Sequence, residues 1–237
     1  MGWGYEYYNK PSVAQQRRSA EKLLVKLRKK DPDIQPVVIE GNKIAKTWWG
    51  RAWCENLERY ADYENRIGRG RSYVRNGLVL DLRIAEGLIT AQVSGSSLYT
   101  VKIKIDKLSE MNWKKIAEQS ARRIDSIAAL VEGKFPEELQ EAFMKQGDGL
   151  FPSPKEIHMD CSCPDWATMC KHVAAVLYGV GAKLDANPLL FFTLRGIDQT
   201  VLIKKSVDEK MKSLLANATK KSGRIIAEKD VERIFGI

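Results

Sequence analysis

Three of the four cysteines in this chain of 237 residues fall within ten positions, Cys161, Cys163 and Cys170, and a histidine, His172, stands two residues after the last. Cys-x-Cys, six residues, then Cys-x-His is a metal-ligand spacing more than a disulfide framework. Three thiolates and one imidazole complete a closed tetrahedral Zn²⁺ shell. Soft sulfur donors argue against Mg²⁺ or Ca²⁺. Other readings of the same residues are an iron–sulfur cluster, which wants a fourth cysteine and finds only the distant Cys54, and three buried cysteines beside an unrelated histidine. His158 is the alternative imidazole; otherwise it is a strand residue facing solvent or core. Four protein ligands leave no open position for water or substrate, so the metal is structural. Its affinity, about 10–16 kcal/mol in comparable sites, acts as folding free energy for the segment.

The flanking sequence says how the ligands converge. Lys155–Asp160 reads as a strand, and alternate strand residues share a face, so Cys161 and Cys163 can aim at one ion. Pro164 breaks the ladder. Val173, Val176, Leu177 and Val180 then repeat at helical spacing. Positions i and i+2 of a helix lie about 200° apart, so Cys170 must stand at or before the first turn, with His172 just inside it. A thiolate there gains from the helix dipole.

Elsewhere the period changes several times. Residues 11–30 read as a basic helix capped by Ser12, with Val13, Leu23, Leu24 and Leu27 as a partial apolar stripe and Asp31-Pro32 as its stop. Val37–Ile39 looks like a short strand turned by Gly41-Asn42. Thr47 begins a helix carrying Trp48, Trp49 and Trp53, a core-packing load that also makes Cys54 a small buried hydrophobe. Arg66–Arg75 reads as a glycine-rich loop. Residues 72–105 alternate like strands, with turn signals at Asn76-Gly77, Glu86-Gly87 and Ser94–Ser97, which implies an antiparallel meander or a small barrel. A long helix over 109–133, a shorter one from Pro136 to Gly147, a linker over 147–154, and helices starting at Asn187, over 198–218 and over 230–235 complete the expectation.

Charge narrows the partner class. Lys and Arg number 39 against 30 Asp and Glu, a formal net charge of +9 that raises the prior for a polyanion. Within Arg66–Arg75, Arg66, Arg69, Arg71 and Arg75 suit phosphates and Tyr73 suits a base; Lys171, fixed between two ligands, is a further phosphate contact. The longest uncharged apolar stretch, Val173–Ala182, is half what a bilayer needs, and the first residues lack a signal-peptide pattern. A cytoplasmic protein without a membrane partner is expected. Enzyme signals are poor: with His172 on metal only His158 is left for histidine chemistry, and Gly41–Thr47 lacks the glycines of a phosphate-binding loop. No enzyme activity and no small-molecule substrate are expected.

Cys161-Ser-Cys163-Pro-Asp-Trp and Cys170-Lys-His172-Val-Ala-Ala-Val-Leu-Tyr resemble the SWIM zinc finger, whose Cys-x-Cys and Cys-x-His ligands correspond to Cys161, Cys163, Cys170 and His172. The stretches Thr47–Trp53, Arg69–Arg75 and Pro188–Gly196 resemble flanks of bacterial and archaeal SWIM proteins. The resemblance implies one structural zinc and nucleic-acid binding, DNA first, often beside a Swi/Snf-type helicase-like ATPase. The alternative it implies is a protein–protein adaptor using the zinc finger without direct DNA contact; the net charge and the arginine run favour the first. The expected architecture is α+β: a small antiparallel meander plus helices, with a ββα-like SWIM zinc finger embedded in a helical C-terminal half. The expected segments are 1–36 (basic helical), 37–107 (Trp helix and meander), 108–150 (helical pair), 151–182 (finger) and 183–237 (C-terminal helical).

Overall fold

A computed structural model describes residues 11–58, 64–121, 137–145 and 149–198, with isolated positions between Lys204 and Leu215. In chain order the elements are α1 (Val13–Lys30), α2 (Trp48–Glu58), α3 (Glu64–Arg75), β1 (Val79–Ala85), β2 (Leu88–Ser94), β3 (Leu98–Ile105), α4 (Glu110–Ala121), α5 (Glu137–Met144), β4 (Ile157–Cys161), α6 (Lys171–Ala186) and α7 (Leu189–Leu194). A single 3₁₀ turn, Pro154–Glu156, leads into β4. The fold is α+β, with the finger in the C-terminal half.

The apolar stretch that was too short for a bilayer forms the middle of α6, where His172–Gly181 and Leu184 are all buried. A helix apolar on every side must be surrounded. Here α2, α3 and one face of the sheet surround it. Small residues set the spacing. A Cβ on Gly50 of α2 would stand 2.4 Å from the Gly181 carbonyl oxygen, so the two helices cross with backbones in contact. A Cβ on Gly70 of α3 would stand 2.5 Å from the Ala174 methyl. Trp49 and Trp53 are fully buried at the same crossing, and the Trp53 indole N–H donates to the Leu177 carbonyl at 2.8 Å. Cys54 is buried as expected, and burial pushes its thiol up to about 12.

Among the described residues the sheet is an open antiparallel meander in the order β1-β2-β3-β4, and no barrel closes. Tyr99, Val101, Ile103 and Ile105 of β3 point into the core while the residues between them face out. The finger strand β4 pairs with β3, Cys161 opposite Val101 and Ile157 opposite Ile105. The metal segment is thereby a continuation of the meander.

α1 lays Leu23, Leu24 and Leu27 over Leu78 and Leu80, capped by Ser12 with a reciprocal Gln15 contact. Val13 does not join this stripe and stays 49% exposed.

Several expectations are corrected. Residues 66–75 are helix, not loop, because Ile67, Gly70 and Val74 form a buried face against α6. Strand structure therefore starts at Val79 rather than at 72. Val37–Ile39 is not a strand; Gln35 and Val37 only bond to the outer edge of β1, through Leu82 N–H to Gln35 O and Val37 N–H to Val79 O. Lys155 and Glu156 belong to the 3₁₀ turn, and β4 begins at Ile157. In the expected linker, Leu150, Phe151 and Pro152 are buried. All of 122–136, most of 198–218 and all of 230–235 lie outside the described residues, so those helix expectations are met only over Glu110–Ala121 and at the isolated helical positions.

Candidate metal centre

β4 ends at Cys161, and the ladder is prolonged by two bonds: Ser162 N–H to the Thr100 carbonyl, and Thr100 N–H to the Ser162 hydroxyl, both at 3.0 Å. The chain then turns through Pro164–Met169. Asp165 fastens this knuckle, accepting from the Ala167 N–H at 3.2 Å and from two nitrogens of Arg66 at 3.0 and 3.3 Å. The Arg66 guanidinium beside it holds the Asp165 carboxyl below the usual carboxylate range. Cys170 is the N-cap of α6, its sulfur receiving the Val173 N–H at 3.5 Å, and His172 sits inside the first turn.

One ligand atom from each of Cys161, Cys163, Cys170 and His172 lies within 4.8 Å of all the others. His172 Nδ1 is 3.9 Å from the Cys161 sulfur and 3.8 Å from that of Cys170. A tetrahedral zinc with Zn–S near 2.3 Å and Zn–N near 2.0–2.1 Å puts sulfur and nitrogen roughly 3.6 Å apart. The donor set and its spacing therefore fit one zinc. Cys170 is pulled far down by hydrogen bonds from Cys161, from His172 and from the helix N–H, and Cys161 is pushed up by Cys170 and by burial. Burial also raises Cys163. Crowded sulfurs cannot all be thiolates unless a cation stands among them.

The imidazole is held by neighbours that sequence reasoning missed. Tyr99 lies along the His172 ring at 4.4 Å between centroids, and the edge of Tyr73 meets it at 5.4 Å. His172 Nε2 is buried without a hydrogen-bond partner among the described residues, beneath Gly95, where a Cβ would come within 3.0 Å of it. The ring is oriented by stacking and by the sulfurs at Nδ1. The inward parity of Tyr99 on β3 was the available signal for its role. His158 takes no part: it is exposed on β4, 3.2 Å from Asp106.

The candidate nucleic-acid residues divide between opposite sides of α3, as 100° per residue dictates. Arg66, Arg69 and Tyr73 face the finger. Arg66 is tied to Asp165 and lies 5.9 Å from the Trp166 ring. Tyr73 is half-buried, with the Lys171 ammonium 5.9 Å above its ring, so it is a wall of the site and not a presented base platform. Arg71 and Arg75 face away. Arg71 donates to the Tyr178 hydroxyl at 2.8 Å and pairs with Glu58 at 2.5 Å, and Arg75 donates to the Asn42 carbonyl at 3.2 Å. Burial, then the Glu58 carboxylate, pushes the Tyr178 phenol up.

Residues 153–180 match the family model of the SWIM zinc finger. The chain is also similar to the uncharacterized protein Rv2102 of Mycobacterium tuberculosis, 34% identical over 183 residues, which covers 73% of this chain. The match spans 66% of that relative's length, just under two thirds. No solved structure matches. With the family's ligand pattern, its model match and four donors brought together for one metal ion, this chain carries a SWIM zinc finger.

Proposed function

We propose that the chain is a zinc-stabilised, non-enzymatic nucleic-acid-binding accessory protein of the cytoplasm. DNA is its expected target and a Swi/Snf-type helicase-like ATPase its expected companion. The observation that carries this reading is the pair Arg69 and Lys171. Both line one cleft that no described carboxylate lines; Lys171 stands between two zinc ligands, and its charge reaches Asp165 only outside that cleft. The first turn of the basic helix α1 borders the same place. Phosphates neutralised there release counterions, so affinity falls steeply with salt. A mobility-shift titration of the zinc-loaded chain at several salt concentrations tests this. A shift that weakens with salt supports it; no shift at low salt overturns it.

The adaptor reading has its own support. Two of the expected phosphate contacts, Arg66 and Arg71, are neutralised by Asp165 and Glu58. Trp166, at the tip of the knuckle, is 84% exposed. Exposed tryptophans flanked by arginine are typical protein hot spots. Binding of a purified Swi/Snf-type ATPase that is lost in Trp166→Ala, in a chain that does not shift DNA, is the result that selects the adaptor. No helix among the described residues is long and apolar enough to cross a membrane.

A further inference from the structure

Between the start of α1, the finger-facing side of α3 and the turn joining β2 to β3 lies a cleft of about 350 Å³. Its walls include Arg69, Ser72, Tyr73, Ser94, Ser96 and Lys171. Among the described residues no carboxylate lines it, although the chain has 30 acidic residues and pairs several of its other arginines with them. Two cations in a concave, hydroxyl-lined site that no described carboxylate lines, with Asp165 acting on Lys171 only from outside it, favour an entering anion. The lining also has an apolar part, formed by Pro11, Val13 and Leu78. Val13 is the residue that leaves the apolar stripe of α1 and stays half-exposed here.

This combination selects a ligand with a charged end and a flat or apolar end. The volume lies at the small end of the usual range for ligand pockets, about 300–1,000 Å³, and admits one nucleotide but no duplex. We propose that the cleft binds a single nucleotide, its phosphate between Arg69 and Lys171 and its sugar or base against Pro11, Val13 and Leu78. The proposal rests on the nucleic-acid reading and deepens it: the finger's neighbour takes one nucleotide of a single strand. A free nucleoside monophosphate offers the same chemistry, and the test separates the two sources. Tyr73 and Gly95 join the cleft to the zinc site, since one touches the His172 ring and the other covers its Nε2. Loss of zinc therefore loosens the floor of the cleft.

The test uses the zinc-loaded full chain with a fluorescein-labelled oligothymidine, the corresponding duplex, thymidine monophosphate, thymidine and inorganic phosphate. Arg69→Gln is expected to weaken single-strand binding about tenfold and to lower the log–log salt slope by about one. Arg69→Lys restores part of the loss. Lys102→Gln, on the outer face of β3, changes affinity less than about threefold by the same phosphate-contact logic. Thymidine monophosphate competes with the strand and thymidine does not. Zinc content is measured for every variant. Lys171→Gln counts only if it keeps its metal, and Arg69→Gln decides if it does not. If the wild type binds the strand and Arg69→Gln binds equally, the cleft assignment is wrong while nucleic-acid binding stands. If the monophosphate binds through Arg69 but no strand does, the cleft stands and the nucleic-acid reading falls. If neither ligand binds, both fall.

Discussion

At its first turn α6 meets three sulfurs and an imidazole; along the rest of its length it meets tryptophan and phenylalanine. The knuckle leading into that end buries little apolar surface: Ser162, Pro164, Trp166 and Thr168 are exposed, and only Ala167 and Met169 turn inward. Its order comes from ligand convergence on one point. The other end is held by area. Trp49 stacks on Phe143 at 5.8 Å and meets Phe191 and Phe192 at 5.6 and 5.9 Å, all of them fully buried. One helix is thus fixed by two kinds of free energy. The first is all-or-none in a single ion, and the second is spread over many contacts.

Removing the metal should break the comparison most widely. With about 10–16 kcal/mol of binding free energy at stake, chelation or Cys163→Ser is expected to take zinc from about one per chain to near zero. Hydrogen exchange should then rise sharply across 157–172 and far less across 49–57 and 176–184. Equal loss of protection at both ends would mean that the helix does not separate them.

Trp53→Ala attacks the opposite end. Deleting a fully buried indole costs about 3–5 kcal/mol, read as a shift of the denaturant midpoint. Bound zinc should stay near one per chain in the variant that remains folded. Loss of zinc along with stability would show that the aromatic end positions the ligands.

A tie runs between the two regions. Arg195, 1% exposed after α7, donates to Glu156 at 2.6 Å, just before the finger strand, and to the Asp106 carbonyl at 2.6 Å. Burial raises the Glu156 carboxyl, but the Ser153 N–H, Arg195 and the Ser153 hydroxyl together hold it below its ordinary value. A lowered carboxylate contributes stability that is fully present above its unfolded pKa, about 4.3, and is lost as pH falls through the folded value. Glu156→Gln is therefore expected to cost about 1–3 kcal/mol at pH 7, with a gap to wild type that stays constant between pH 6 and 8. Urea midpoints of the zinc-loaded proteins across that range check it. A gap that changes in that range assigns the dependence to another group.

The finger was legible in the sequence because metal chemistry imposes spacing directly. Cys161, Cys163, Cys170 and His172 had to converge, and the helix-capping position of Cys170 followed from the angle between i and i+2. The meander was legible because β3 alternates without interruption. The helix α3 was not. Its glycines at 68 and 70 and its dense arginines look like a loop, while the signal that counters them, Ile67, Gly70 and Val74 at helical spacing, includes a residue with no side chain. Only the partner surface, the Ala174 methyl of α6, turns Gly70 into a contact. The partners of the arginines were invisible for the same reason: Asp165 lies 99 residues from Arg66, and Tyr178 lies 107 from Arg71.

That contrast yields the smallest effect, and one whose sign is opposite at neighbouring positions. Gly68 and Gly70 sit in the same helix two residues apart. A Cβ on Gly68 meets nothing within 4 Å, whereas one on Gly70 would stand 2.5 Å from the Ala174 Cβ and 3.0 Å from its backbone. Alanine at an open helical site gains backbone rigidity and helix propensity, so Gly68→Ala should raise stability by up to about 1 kcal/mol. Gly70→Ala collects the same propensity but forces α3 off α6, and overpacking of this kind costs about 1–3 kcal/mol. With an overlap as close as 2.5 Å the upper half of that range applies, and the net effect should be a loss of about 1–2 kcal/mol. Thermal and denaturant midpoints of the two variants against wild type measure this directly. If both substitutions stabilise, residues 66–75 pack more loosely against the finger helix than a loop would need. The two basic faces of α3 would then no longer be fixed relative to the zinc.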